Sequence, residues 1–384
     1  MRISNSYYYD HQATCPLDSR VFDKMSHLMA NSVGNAHSSE HAFGWESEKA
    51  VADAKAKIGA MVGCDNDEIF FTSGATEANN LALKGFDYGT RNTLMHTSIE
   101  HKCVIETGRY LQEREGLNLI SIGVDEEGYA NLDELAQLAD ENVGIFSFIG
   151  VHNEVGTIQN FQKIADICRR YDIKIHADMA QAPLAISLPS IIDHIDTLSL
   201  SAHKYYGPMG IGCLYIRRDI QHLYSPIIHG GGQQEGMRSG TIPVPLAVGM
   251  GEASKIIVET ETEGSVLRDK NKLLWEGLKT VGAPAVLNGP DISKRHPANL
   301  NVSFMGFDSA DIIAAVQPQL AISSGSACTT GYPEPSHVLQ NLGLSADRVS
   351  SAVRMSLGRQ TSEDDIHRAV QILGRVLERL PKAA

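Results

Sequence analysis

The stretch VGIFSFIGVHNEVGTIQNFQKIADICRRYDIKIHAD, residues 143–178, decides the fold. Its first eight residues are almost continuously apolar, which suits a strand covered on both faces. FQKIADICRRY then carries apolar residues at helical spacing, and IKIHAD returns to a strand. Strand, helix and strand in that order predict a parallel pair joined by a crossover helix.

The alternation extends to both sides. EIFFTSG reads as a strand entering a glycine turn, ATEANNLALKGF as a helix, NTLMHTS as a strand and EHKCVIETGRYLQERE as a helix. LNLISIG and LDELAQLAD add a strand and a helix; IDTLSLSAHKYYGP and GIGCLYIRR add two strands with a loop between them. Nearer the start, VFDKMSHLMANSV and WESEKAVADAKAKIGAMVG have helical spacing around the turn-rich GNAHSSEHAFG, and Gly63 suits a C-cap. The expected architecture is α/β, with a mainly parallel sheet whose ligand crevice lies at the carboxyl ends of the strands. Residues 244–281 read as one long helical stretch and mark a domain boundary. Beyond it, the strands NLNVSFM and VSSAVRMSL and the final helix DDIHRAVQILGRVLERL form a smaller α+β unit. We expect a large domain over 16–260 and a small one over 1–15 and 261–384.

A 42% hydrophobic content in 384 residues is enough for one large core and a smaller one. The formal charge of -13 argues against a protein that coats nucleic acid, because that needs many Lys and Arg facing phosphates. The first residues show no basic stretch followed by an apolar run, and no segment has the length to span a bilayer, so the expected compartment is the cytoplasm. Six cysteines, at 15, 64, 103, 168, 213 and 328, are spread without zinc-type spacing. Five of them read as small core or surface residues, and Cys328 stands apart.

The chemistry begins with SLSAHKYYGPMG, where Lys204 follows a strand and could form a Schiff base with an aldehyde cofactor if it faces the crevice. Asp178 follows the strand IKIHA and can point into the same crevice. Pyridoxal phosphate is an electron sink while its ring nitrogen is protonated, and a paired aspartate keeps it so. Gln181 and Asn153 could reach the ring oxygen, and His101 could stack over the ring and move protons. TSGATEANN offers free amides at a helix start and the Thr76 hydroxyl for a phosphate. Each signal alone has an ordinary explanation: a solvated lysine, a capping aspartate or serine, a histidine at a helix start.

In order and over almost the whole length, GNAHSSEHAFGWESEKAV, EIFFTSGATEANNLALKG, SIEHKCV, HNEVGTIQ, HADMAQA, SAHKYYGPMGIG, GGGQQEGMRSGT, SSGSACTTG and VRMSLGRQTSEDDI resemble the cysteine desulfurases of the aminotransferase class V family, of the bacterial IscS/NifS type. The resemblance implies aminotransferase fold type I, with a seven-stranded sheet flanked by helices, and a pyridoxal 5'-phosphate cofactor on Lys204. It carries cofactor contacts onto Ala75, Thr76, His101, Asn153, Asp178, Gln181, Ser201 and His203. It also implies a homodimer in which Thr241 reaches the neighbouring subunit's phosphate. Arg354, with Asn35 nearby, matches the group that grips the substrate carboxylate. Cys328, on a thin loop of small residues, matches the cysteine that takes sulfur from L-cysteine as a persulfide while alanine is released.

The sequence departs from the family pattern in YYYDHQATCP, GGGQQEG and ADMAQ, none of which removes an assigned residue. The ending VLERLPKAA lacks the tail with which housekeeping members dock their iron–sulfur scaffold, so a specialised acceptor protein is expected: one serving tRNA thiolation, nitrogenase maturation or, by preference, DNA phosphorothioation. No motif reads nucleic acid directly. Selenocysteine lyase, another carbon–sulfur lyase and an inactive sulfur-transfer scaffold are the competing readings, and the intact Lys204, Asp178, His101 and Cys328 set argues against the last.

Overall fold

The computed structural model describes residues 2–3, 6–31, 33–260, 262–324 and 335–382. The chain begins with two short antiparallel strands, β1 (Arg2–Ile3) and β2 (Ser6–Tyr8), followed by helices α1 (Ser19–Asn31) and α2 (Ala42–Val62). Helix α2 begins at Ala42 rather than Trp45 because the His41 ring accepts the Gly44 amide and caps it. It ends at Gly63, whose φ of 90° is left-handed backbone that favours glycine.

Strand and helix then alternate through β3 (Ile69–Thr72), α3 (Ala75–Lys84), β4 (Thr93–Thr97), α4 (Lys102–Glu115), β5 (Asn118–Ile122), α5 (Leu132–Leu138), β6 (Val143–Ile149), α6 (Phe161–Cys168) and β7 (Lys174–Asp178). β8 (Thr197–Ser201) and β9 (Gly212–Ile216) complete a seven-stranded sheet in the order β3-β9-β8-β7-β6-β4-β5. From β5 to β8 every pair is parallel, whereas β9 runs antiparallel to both its neighbours. All of β6 is buried, as an apolar run in the middle of a doubly covered sheet requires. Phe146 and Phe148 face one core, shared with Val21 of α1 and Ile58 of α2. Ile145 faces the other, with Leu81 of α3 and Leu111 of α4. Each such side chain contributes roughly 1.5–3 kcal/mol on leaving water.

Helix α7 (Val244–Glu259) packs on α1 and α2, and α8 (Glu263–Leu278) follows it. The single long helix expected over 244–281 is therefore two. Thr260 leaves helical geometry at φ -114° and ψ 49°, and its hydroxyl donates back to the Ile256 carbonyl at 2.6 Å. The rest of the chain comprises β10 (Ala285–Leu287), β11 (Asn299–Phe304), α9 (Ser309–Val316), β12 (Leu320–Ala321), α10 (His337–Asn341), α11 (Ala346–Ser350), β13 (Ala352–Ser356) and α12 (Glu363–Leu377). β10, β11 and β13 make an antiparallel sheet, and β12 pairs in parallel with β2. A separate core gathers Tyr9, Leu274, Leu300, Phe304, Met355, Ile366 and Leu373. The Arg359 guanidinium ties the two parts together: it bonds Asp18 and Glu263 and lies 4.1 Å over the Tyr206 ring. Among the described residues no helix is long and apolar enough to cross a membrane.

Candidate active site

Strands β4, β6, β7 and β8 end along one edge of the sheet, at Thr97, Ile149, Asp178 and Ser201. His101, Asn153, Gln181 and Lys204 follow those ends within a few residues, which is how a parallel sheet gathers distant side chains into one crevice. Asp178 is buried; its Oδ2 accepts from Asn79 Nδ2 at 2.7 Å and its Oδ1 from the Ala180 amide at 3.1 Å. Lys204 Nζ donates to the carbonyls of Gln12 at 2.9 Å and Ala13 at 2.8 Å. Gln181 Nε2 donates to the same Gln12 carbonyl at 2.9 Å. The segment after β2 thus lies against both side chains.

Ala75 and Thr76 open α3, whose first amides have no acceptor within the helix. Ser201 stands beside that start: a Cβ on Gly74 would lie 3.6 Å from its Oγ. Gly212 permits the close approach of β9, since a Cβ there would fall 2.7 Å from Gly74 Cα and 2.3 Å from the Leu200 carbonyl oxygen. His203 Nδ1 is 3.0 Å from Thr14 Oγ1, and burial pushes the imidazole down to about 4. Arg238 pairs with Glu77 of the first α3 turn at 2.7 Å, which holds the glycine-rich loop at this helix start. Thr241, just beyond that loop, is exposed. Asn35 is exposed too, in a turn before α2 where its Oδ1 accepts the His37 amide at 3.0 Å. No described bond links either residue to Lys204 or Asp178.

His101 caps α4, and its Nδ1 accepts the Cys103 amide at 3.2 Å, so the neutral ring carries its proton on Nε2. Arg354 of β13 is 3% exposed. Its Nη1 donates to the Asn153 carbonyl at 3.0 Å and its Nη2 pairs with Asp10 at 2.7 Å, while Nε is buried with no partner among the described residues. Cys328 lies outside the described residues. The residues flanking that segment are fixed at the site: Ser323 bridges to Arg354, and Ser336 donates to Glu154 Oε2 at 2.6 Å. Cys15 donates to the Lys204 carbonyl at 3.2 Å, and burial pushes its thiol up to about 12, which leaves it inert.

Several neighbours of these residues were not singled out by the sequence reading: Asp10, Gln12, Asn79, Cys103 and His176. Cys103 had counted among the ordinary cysteines, yet its Sγ lies 3.0 Å from His101 Nδ1. Its place two residues after His101, at a helix start, was the available signal.

An amine beyond one parallel strand, a buried acid at the end of the next and a helix N-terminus beside them define an α/β protein of aminotransferase fold type I. The aminotransferase class-V family model matches residues 7–369. The cysteine desulfurase IscS of Rickettsia akari (strain Hartford) is 40% identical over 379 residues, 98% of this chain and 92% of that protein. A NifS-like protein of known structure superposes with a TM-score of 0.90 at 31% identity, over 98% of this chain and 100% of that one. SspA in complex with cysteine superposes with a TM-score of 0.80 at 31% identity, over 92% and 99%. The chain belongs to the aminotransferase class-V family.

Membership supports a pyridoxal 5'-phosphate cofactor, and the residues present fit one. The buried Asp178 suits a pyridinium nitrogen, the Lys204 amine suits the aldehyde, and the α3 start beside Ser201 suits a phosphate.

Proposed function

We propose that the chain is a cysteine desulfurase that converts L-cysteine to L-alanine and takes the sulfur onto Cys328 as a persulfide. One observation carries the amino-acid substrate: the Asp10–Ala13 segment holds Arg354 through the Asp10 carboxylate and Lys204 through the carbonyls of Gln12 and Ala13. A guanidinium fork that can grip a carboxylate and an amine are thereby held on one short piece of chain, as an α-amino acid substrate requires. The likeness to SspA in complex with cysteine supports L-cysteine in particular.

Bound pyridoxal phosphate supplies the electron sink that lets the substrate's carbon–sulfur bond break. Asp178 would hold the ring nitrogen, Gln181 and Asn153 the ring oxygen, and Ala75, Thr76, Ser201 and His203 the phosphate. His101 would lie against the bound group and move a proton through Nε2, and Lys204 would hold it. Arg354 and Asn35 hold the substrate carboxylate. The Cys328 thiolate attacks the substrate sulfur; the sulfur–carbon bond breaks, its electrons stay with the carbon fragment, and protonation there gives alanine.

The working unit in this reading is a cytoplasmic homodimer with Thr241 reaching the partner's phosphate. Phe22, Met29 and Val33 on or after α1, and Phe43 and Trp45 at the α2 start, are exposed large apolar side chains that a second copy would cover. Met209 is exposed as well, next to Pro208, which with Met25 flanks Gly249. The persulfide then passes to an acceptor protein of iron–sulfur assembly, tRNA thiolation or, by preference, DNA phosphorothioation. With a charge of -13, delivery runs through that protein and not through nucleic acid.

Product analysis with L-cysteine and L-selenocysteine tests the reaction. Alanine from L-cysteine is expected. Alanine from selenocysteine alone would make the chain a selenocysteine lyase, pyruvate with ammonia would make it another carbon–sulfur lyase, and no turnover with no bound cofactor would make it a scaffold.

A further inference from the structure

We infer that Asn79 is a positioning residue that orients Asp178 and His101 together, supported from behind by His176 and Thr197; this rests on the assignment of Asp178 and His101 to bound pyridoxal phosphate. Asn79 projects from α3 and is fully buried. Its Nδ2 donates to Asp178 Oδ2 at 2.7 Å and to Cys103 Sγ at 3.1 Å, which uses both amide protons. Its Oδ1 lies 3.0 Å from His176 Nε2.

These contacts fix one direction of donation. Turning the Asn79 amide over would set its oxygen against a carboxylate oxygen at 2.7 Å, so Nδ2 faces Asp178. Oδ1 then accepts, and the His176 proton must sit on Nε2. His176 Nδ1 is left as the acceptor for the Thr197 hydroxyl at 2.9 Å. The row runs Thr197 to His176 to Asn79 to Asp178. His176 is fully buried, and burial lowers its pKa, so the imidazole is in the neutral form this row needs.

A branch leads from Asn79 to His101. Cys103 Sγ accepts from Asn79 and lies 3.0 Å from His101 Nδ1, the nitrogen that the Cys103 amide already occupies. The amide contact keeps the His101 proton on Nε2, which leaves the Cys103 thiol facing Nδ1 as a donor. A polar row that ends on the acid assigned to the cofactor's ring nitrogen is accounted for by orientation of that acid, with packing secondary.

The test strips the full-length protein of cofactor and titrates it with pyridoxal 5'-phosphate, reading affinity by fluorescence and the bound cofactor by visible absorbance. Asn79→Leu is expected to weaken affinity about tenfold or more and to shift the absorbance maximum. Thr197→Val, at the far end of the row, is expected to weaken it about two- to threefold, and Thr197→Ser, which keeps the hydroxyl, to restore it. Wild-type affinity and absorbance in Asn79→Leu would overturn the inference. Should that variant fail to fold, equal values for Thr197→Val and Thr197→Ser would overturn it instead. A wild-type chain that takes up no pyridoxal phosphate would overturn the cofactor assignment along with it.

Discussion

The Arg354 guanidinium and the Asp10 carboxylate are paired at 2.7 Å in a wall where Arg354 is almost wholly enclosed. Asp10 leaves the fork poised, since Nη1 is tied to the Asn153 carbonyl and the fork can turn little. A lysine there would keep the charge and lose the planar two-point grip. Arg354→Lys is expected to raise KM for L-cysteine about tenfold or more while cofactor content stays at the wild-type level. Steady-state kinetics with a cofactor assay on the same preparation check this, and an unchanged KM would remove Arg354 from the substrate site.

Lys204 is held by two backbone carbonyls, so its loss should leave the surroundings standing. Lys204→Ala is expected to fold, to lose cofactor that borohydride can fix to the protein, and to lose at least about 100-fold in kcat. Reduction followed by peptide mapping checks the attachment; label on another lysine would contradict it.

Glu100 gives a pH signature. Burial, the largest cause, pushes its carboxyl from 4.5 up to about 8. A folded pKa above the unfolded one means the native state holds the extra proton, so this stability is full below about pH 4.5 and is lost as pH rises to about 8. Glu100→Gln keeps an oxygen for the Ile149 amide and cannot ionise. Denaturant unfolding should show wild type falling behind this variant by about 5 kcal/mol across that range. Parallel pH curves would refute the shift.

Gly212→Ala tests the close approach of β9 to the α3 start. The added methyl would meet Gly74 and the Leu200 carbonyl, both backbone, so neither can swing aside. A loss of about 1–3 kcal/mol in stability is expected, with weaker cofactor binding because the α3 start moves. Unfolding curves and cofactor titration check both effects; an unchanged affinity would separate this helix start from the phosphate.

How legible the fold was depended on the signal each element carries. The β6 run was plain because a strand buried on both faces must be apolar throughout. The reversal of β9 was not, since side-chain periodicity is the same in either direction. The break at Thr260 was hidden because the polar run ETETEGS, residues 259–265, suits the solvent face of a continuing helix as well as a helix end. In the site, Lys204 and Asp178 stood out as charged residues at strand ends. Asn79 and His176 did not: they are 97 positions apart, and a buried polar side chain within an amphipathic element looks like an interruption of the pattern until its partner is known.

Sulfur transfer to Cys328 is read by mass spectrometry of the purified protein after incubation with L-cysteine. One added sulfur at Cys328 is expected, matched by alanine in the same tube, with no such adduct in Cys328→Ser. Cofactor-bound protein that yields alanine with no persulfide on Cys328 would contradict it.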